Sequence, residues 1–374
     1  MRILYLDCDT LRADHLGCYG YCRDTSPNID RVASRGVRFE NCYVSDAPCL
    51  PSRAALHTGR FGIQTGIVNH GGLCADLRLE GISRGFKTNR KHWMDQLRRA
   101  GYFTVSVSPF AERHSAWWFY AGFNECHNTG KSGQERADEI YPVAAEWLEK
   151  NATNEDWFMQ VNFWDPHTPY RTPLEYGNPF EGQPYDQFMN EEGIARDYNS
   201  YGPHSAQDTA HLGPNDTERF PRLPKNISNL DDYRKWIDGY DAGIRYMDDY
   251  IGKLLEVLEK KGVLQDTAVI VSSDHGEAQG ELGVYGDHHF AAGRIRQRPG
   301  RGRQQLADRQ RAGRHRAARQ RGPHLPDGPG PHGLRAGRRR GPPGMAGQLL
   351  RGGHARRPGL GPRGAGAEHG SLEL

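Results

Sequence analysis

The sequence has no hydrophobic run long enough to cross a membrane, which excludes an integral membrane helix. None of its apolar segments approaches the roughly 18–20 residues that such a helix needs. The chain start, Met1 to Asp7, also lacks the apolar stretch of about 7–15 residues that precedes the cleavage site of a secretory signal. We therefore expect a cytoplasmic protein with no membrane partner.

Cysteine is absent after Cys126, and the seven cysteines before that point are odd in number and irregularly spaced. A disulfide framework does not fit this set, because paired cysteines come in even numbers. Reduced thiols are typical of the cytoplasm. The cysteine content therefore agrees with the missing secretory signal.

Lysine, valine and all three large aromatic residues are absent from residues 291–374, where Arg, Gly, Pro and Ala make up 58 of 84 positions. Such a segment cannot bury enough apolar surface to offset its ordering entropy, so we predict a disordered tail. A basic arm that binds nucleic acid would fit the charge. The loss of lysine and the dominance of residues with GC-rich codons favour a shifted reading frame instead. We therefore expect a non-native tail and no nucleic-acid partner.

The net charge of +3 is a balance between two unlike segments. Residues 1–290 carry 30 Lys and Arg against 42 Asp and Glu, whereas residues 291–374 carry 19 Arg against four acids. The first segment is acidic and long enough for a buried core. We expect residues 1–290 to form one folded domain, distinct from the tail.

Predicted strands and helices alternate along residues 1–290, which indicates an α/β fold. Apolar or β-branched segments predict strands at 3–9, 102–107, 157–163 and 267–271. Amphipathic segments with helix start and stop signals predict helices near 26–34, 92–100, 134–150 and 231–260. This order favours a doubly wound, mostly parallel sheet flanked by helices, in which ligands bind at the carboxyl ends of strands. Polar residues follow three of those ends: Asp7 and Asp9, His167, and Asp274 with His275.

The span 171–229 breaks the alternation. It is rich in Pro, Gly, Asn, Asp and Tyr and has no sustained hydrophobic period. A loop of this length is uncommon in a compact domain unless it has a function. We therefore predict an insertion that forms a lid over the site.

The segment CLPSRAALHTGR at 49–60 combines a cysteine with two arginines. Cys49 precedes a helix-forming stretch that ends at Gly59, so we expect it at or near a helix N-terminus, where free amide groups favour anionic ligands. Arg53 and Arg60 could add contacts to an anion. A lone cysteine beside an arginine is usually an ordinary thiol, so this segment alone does not define a site.

Further motifs accompany that segment. CLPSR at 49–53 with TGR at 58–60 resembles the motif of type I sulfatases, in which the cysteine is oxidised to formylglycine. The resemblance covers nearly all of residues 1–290 and includes, in order, DTLRADHLGCYG at 9–20, TSPNID at 25–30, DPHTP at 165–169, residues 240–258 and SDHGE at 273–277. It implies an alkaline-phosphatase-like fold, with the family's small C-terminal subdomain missing here and replaced by the tail.

The resemblance also implies a reaction and a cofactor. Cys49 would be converted to formylglycine by a maturation enzyme, and one hydroxyl of its hydrate would attack the sulfur of an aryl or carbohydrate sulfate ester. The other hydroxyl would then expel sulfate. A divalent cation, usually calcium in this family with magnesium or manganese as alternatives, would be held at Asp9, Asp274 and His275. Arg53 and His167 join the implied catalytic group.

The sequence departs from the family pattern in three places. One of the two adjacent acids that many sulfatases carry after the first strand is missing, and Asp7, on the same side of the strand as Asp9, is the candidate replacement. A Gly-Lys-x-His segment is replaced by SPFAERH, which leaves Arg113 or His114 as the candidate cation. The late active-site lysine is absent, and His288 is its candidate substitute.

Other interpretations stay open. A phosphonate monoester or phosphodiester hydrolase of the same superfamily shares the implied fold, metal site and formylglycine. A product of another class, an inactive truncated chain with an unpaired sheet edge, would also give this sequence. A nucleic-acid binder that uses the basic tail ranks last.

Overall fold

The computed structural model describes residues 1–75, 92–200, 202, 204–209 and 217–288. The predicted disordered tail at 291–374 lies outside these residues. None of the helices in the described part of the chain is long and apolar enough to span a membrane.

Five parallel strands form one sheet in the order β3-β2-β4-β1-β5. The strands are β1 Arg2–Cys8, β2 Phe103–Val107, β3 Glu125–His127, β4 Trp157–Phe163 and β5 Thr267–Ser273. Four of them confirm the predicted strands. The three residues of β3 are too few to show a hydrophobic pattern in the sequence. Among the described residues β5 pairs only with β1, and Ile270 on this edge strand is 42% exposed.

Helices surround the sheet. They are α1 Pro27–Arg35, α2 Cys49–Thr58, α3 Gly62–Thr65, α4 Trp93–Arg99, α5 Phe110–Arg113, α6 Ala137–Asn151, α7 Glu191–Tyr198 and α8 Leu230–Lys260. Helix α7 lies in the span 171–229 that the sequence predicts to be a loop. It begins after Asn190, whose side chain accepts the amide N–H of Gly193.

Both faces of the sheet are covered, because side chains of a strand alternate between faces. Leu4, Leu6 and Cys8 of β1 join a core cluster with residues of α6 and α8. Ile3 and Tyr5 belong to a second cluster that includes Met94 of α4. This layering confirms the predicted doubly wound architecture.

The strand register brings three chain segments to one edge of the sheet. Asp7 of β1 lies opposite Asn162 of β4 and Ser272 of β5. The three strands therefore end at the same level. The residues that follow them, including Asp9, His167 and Asp274, meet beside the first turn of α2.

Candidate active site

Helix α2 presents Cys49 and Arg53 on one side, because residues four apart in a helix are neighbours. The helix begins at Cys49, which confirms its predicted position at a helix N-terminus. The hydroxyl of Ser52 donates to the carbonyl oxygen of Asp274 at 2.6 Å and ties the first turn of α2 to the end of β5. Cys49 is completely buried at this junction.

Arg53 holds three buried carboxylates together, and we name Asp7, Asp9, Arg53 and Asp274 the carboxylate side of the site. Nε and Nη2 of Arg53 donate to the two oxygens of Asp7 at 2.9 and 3.1 Å. Nη1 donates to Asp9 at 2.9 Å and to Asp274 at 2.5 Å. When ionised, three carboxylates around one guanidinium leave an excess of negative charge in a buried space.

Four side chains at this point fit a divalent metal ion. Asp9, Cys49, Asp274 and His275 each offer one ligand atom, and the four atoms lie within 4.8 Å of one another. Nδ1 of His275 donates to the carbonyl oxygen of Gly276 at 2.9 Å, so Nε2 is the ring nitrogen available as a ligand. That Nε2 lies 3.1 Å from Sγ of Cys49. A dication would offset the excess negative charge, and carboxylate oxygens are the ligands that hard cations prefer.

Burial and the Arg53 guanidinium have opposite effects on the pKa values of the carboxylate side. Burial raises the pKa of Asp274 to about 6, although Arg53 opposes the shift. Burial would also raise the pKa of Asp9, but Arg53 and the nearby histidines His275 and His288 lower it below its usual value. The guanidinium therefore keeps at least one carboxylate charged in a space that water does not reach.

Asp7 is not one of the four side chains that fit a divalent metal ion. Both of its oxygens accept from Arg53, and Oδ2 also accepts from Nε2 of Gln160 at 3.1 Å. Its assignment as a metal ligand stays a prediction. The contacts that Asp7 makes orient the Arg53 guanidinium.

Further histidines lie close to Cys49, and we name His70, His114, His167 and His288 the imidazole side; the ring of His288 stacks on that of His275 with centroids 5.0 Å apart. Cys49, His167 and His288 offer ligand atoms within 4.8 Å of one another, and so do Cys49, His70 and His114. The ring centroids of His167 and His288 are 4.4 Å apart, and those of His70 and His114 are 4.6 Å apart. The structure thus brings together at Cys49 three histidines that the sequence singled out.

Two of these imidazoles are neutral at neutral pH. Burial and the neighbouring His70 lower the pKa of His114 to about 2. Burial, followed by His288 and Arg113, lowers the pKa of His167 well below its usual value. Nδ1 of His167 bonds the carbonyl oxygen of Thr168, so the proton lies on Nδ1 and the lone pair on Nε2.

Sequence reasoning missed two residues of the site. His70 follows α3 in a segment without a recognisable motif, and its Nε2 accepts the amide N–H of Leu50 at 3.3 Å. Glu277 is buried, accepts the hydroxyl of Tyr170 and lies 3.5 Å from Nε2 of His288. Glu277 belongs to the SDHGE segment, so its place beside the site could have been inferred, whereas His70 carried no such signal.

Comparisons with known sequences extend these observations. The family model described as Sulfatase matches residues 2–312. The iduronate 2-sulfatase of Mus musculus is 28% identical over 328 residues, which cover 76% of this chain and 56% of that relative. The chain spans little more than half the length of the curated relatives it matches.

Two solved structures have a similar fold. A protein in complex with its substrate D-glucosamine-2-N,6-O-disulfate aligns with a TM-score of 0.56 and 21% identity, over 76% of this chain and 67% of its own. A phosphonate monoester hydrolase of Silicibacter pomeroyi aligns with a TM-score of 0.55 and 20% identity, over 78% of this chain and 66% of its own. At these identities the similarity establishes the α/β fold alone.

Proposed function

Because this chain belongs to the sulfatase family, whose model matches residues 2–312, we propose that it hydrolyses sulfate esters at Cys49. The observation that carries the proposal is the position of this residue. It is buried at the start of α2, close both to the carboxylates of Asp9 and Asp274 and to the histidines of the imidazole side. A sulfate ester needs both a polarising cation and groups that receive its anionic oxygens.

An unmodified thiol suits this reaction poorly. Burial and the nearby carboxylates of Asp9 and Asp274 raise the pKa of Cys49, so the thiol stays protonated at neutral pH. The thiolate, however, is the nucleophilic form of cysteine. We therefore infer that a maturation enzyme oxidises Cys49 to formylglycine, whose hydrate supplies one hydroxyl to attack sulfur and a second to expel sulfate.

We infer that Asp9, Asp274 and His275 hold a divalent cation that supplies positive charge to a sulfate oxygen. Carboxylate oxygens suit Ca²⁺, Mg²⁺ and Mn²⁺ alike. Calcium is the ion that the family resemblance implies, with Mg²⁺ and Mn²⁺ as the alternatives. Arg53 keeps the carboxylates oriented through its four hydrogen bonds.

His114, His167 and His288 are proposed to contact the sulfate group and the leaving oxygen. A bound anion favours the protonated form of a neighbouring imidazole. In His167 this proton would enter at Nε2, since Nδ1 is held by the carbonyl oxygen of Thr168. His167 then donates its Nε2 proton to the leaving oxygen as a general acid.

The proposed substrate is an aryl or glycan sulfate ester. A relative named iduronate 2-sulfatase and a structural neighbour solved with a disulfated glucosamine favour the glycan. The alternative is a phosphonate monoester, because a hydrolase of that name has a similar fold.

The domain limits and the compartment belong to the same proposal. A lid formed by residues 171–229 is supported by a 3.0 Å hydrogen bond from the Tyr285 hydroxyl to Asp197 of α7, which joins this span to the segment after His275.

A cytoplasmic location is supported by the seven cysteines, all of which are free thiols.

The modification of Cys49 provides the first test. We would express the full chain with and without a formylglycine-generating enzyme and measure the Cys49 peptide by mass spectrometry. Oxidation is expected at Cys49 only when the enzyme is present. Exposed Cys74 is the internal control and stays a thiol. An unmodified Cys49 after competent maturation would contradict the proposal.

The substrate class needs a kinetic test on the matured chain. We expect 4-nitrophenyl sulfate to be hydrolysed with a higher kcat/KM than 4-nitrophenyl phenylphosphonate. Cys49→Ala should abolish both activities. The reverse preference would assign the protein to phosphonate hydrolysis instead.

A further inference from the structure

Arg113 and Arg171 lie beside the imidazole side, and each has few partners. Arg113 ends α5, and its guanidinium carbon lies 4.8 Å from the ring centroid of Trp164. Its Nε is buried without a hydrogen-bond acceptor among the described residues, and its Nη1 reaches the carbonyl oxygen of Gly133 only at 3.5 Å. Nε of Arg171 donates to Oε1 of Gln134 at 3.3 Å.

The two arginines are close enough to repel each other. Their hydrogen bonds end on consecutive residues, Gly133 and Gln134. Burial and the Arg113 guanidinium lower the pKa of Arg171 to about 10. Trp164, which the Arg113 guanidinium contacts, has its ring centroid 6.0 Å from that of His167. The positive charges of Arg113 and Arg171 both add to the lowering of the His167 pKa.

Three arginines of the core are neutralised by acids, whereas buried Arg222 donates to backbone carbonyl oxygens instead. Arg12 pairs with Asp14, Arg23 with Asp241, and Arg53 with the carboxylate side. By contrast, Arg113 and Arg171 form no ion pair with any carboxylate in the described part of the chain.

The nearest acids, Asp165 and Glu135, form no ion pair with either arginine among the described residues. Asp165 accepts the amide N–H of Ala137 at 2.8 Å, and burial raises its pKa to about 7. Oε1 of Glu135 accepts the hydroxyl of Thr129 and the amide of Lys131, whereas its buried Oε2 has no hydrogen-bond partner among the described residues and forms no ion pair with either arginine. Two adjacent cations without a counter-ion are an unfavourable arrangement unless an anionic ligand joins them.

We propose that Arg113 and Arg171 form a subsite for a second anionic group of the substrate, a carboxylate or a second sulfate. The proposal rests on the proposed sulfatase function and specifies its substrate. Cys49 and His167 are buried, whereas both arginines are only half-buried. The group that reacts at Cys49 therefore lies deeper than the group that the arginines can reach.

Binding of inert anions tests this subsite without catalysis. We would titrate the purified full chain with 4-sulfobenzoate, a dianion, and with benzenesulfonate, a monoanion, by isothermal calorimetry. The dianion is expected to bind at least about tenfold more tightly, because a charge-assisted hydrogen bond is worth this much. Arg171→Gln should remove most of that advantage and leave benzenesulfonate affinity unchanged within about twofold, and Arg113→Gln should also lower the affinity for the dianion.

The control is Arg136→Gln, since Arg136 lies three residues from Gly133 but already pairs with Asp138. This variant should bind both probes like the parent chain, and Arg171→Lys should restore part of the selectivity lost in Arg171→Gln. Equal affinity for the two probes, or no binding of the dianion, would overturn the subsite. Dianion selectivity without any sulfate ester hydrolysis would instead contradict the proposed function and leave the subsite standing.

Discussion

The carboxylate side and the imidazole side differ in how their arginines are compensated by negative charge. On the carboxylate side one guanidinium is saturated by Asp7, Asp9 and Asp274. On the imidazole side the histidines are packed ring against ring, and the neighbouring Arg113 and Arg171 lack carboxylate partners among the described residues. The carboxylate side therefore favours a cation, and the imidazole side with its arginines favours an anion. A sulfate ester bound between them would meet both.

The largest effect is expected when the carboxylate side loses its guanidinium. Arg53→Met would leave three buried carboxylates uncompensated, so the free energy of unfolding should fall by about 3–5 kcal/mol. Urea denaturation monitored by circular dichroism measures this loss. Arg136→Gln, which breaks an exposed ion pair, should cost less than about 1 kcal/mol. If Arg53→Met were as stable as the control, the carboxylates would be protonated and the contrast between the two sides would fail.

Asp165 shows what burial does to a carboxyl that lacks an arginine. Unlike the acids of the carboxylate side, it has no guanidinium partner in the described structure. Its pKa rises from 3.8 to about 7 through burial, so the folded chain binds this proton more tightly than the unfolded chain. Its contribution to stability is complete below about pH 4 and declines as the pH rises to about 7, by at most about 4 kcal/mol. Urea midpoints between pH 5 and pH 8 should decline more steeply for the parent than for Asp165→Asn. Parallel profiles would mean that Asp165 is ionised in the folded protein.

The stabilisation of the fold by added metal ions tests whether the cation binds at the carboxylate side or at the imidazole side. A saturating cation at 100 times its Kd should raise the free energy of unfolding by about 2.7 kcal/mol. We expect Mn²⁺ and Ca²⁺ to raise the thermal midpoint of the parent chain and to have little effect on Asp274→Asn. His114→Gln, on the imidazole side, should respond like the parent. A response lost in His114→Gln but kept in Asp274→Asn would place the cation at the imidazole side instead.

The sequence predicts the carboxylate side better than the imidazole side, for a physical reason. Asp9 and Asp274 directly follow strands, and the carboxyl ends of parallel strands meet at one edge of a sheet. Arg53 is fixed by its four-residue spacing from Cys49 on a helix. These positions follow from local patterns that a single sequence displays.

The imidazole side depends on contacts between segments that no local pattern connects. His70 and Arg171 lie in irregular segments, and their distance from Cys49 is set by tertiary packing. Arg113 and His114 were predicted only as alternatives, because the short helix α5, which ends at Arg113 just before His114, has no hydrophobic period of its own. The same limit applies to α7, where the sequence predicted a loop.

The smallest change in stability is expected at Gly133, whose backbone packs against the side chain of Arg113. Gly133 has a φ of +77°, and a Cβ added there would lie 2.5 Å from Cδ of Arg113 and 2.9 Å from Cζ2 of Trp164. Gly130, in the same loop, has a φ of +80° and nothing within 4 Å of such a Cβ. Alanine at either position costs about 1–2 kcal/mol for the left-handed backbone, so Gly130→Ala controls for this strain. Gly133→Ala should lose about 1 kcal/mol more in urea denaturation and bind 4-sulfobenzoate more weakly, because Arg113 must move. Equal stability and equal binding in the two variants would show that Arg113 is not held by this contact, and the ordered anion site beside the imidazole side would lose its support.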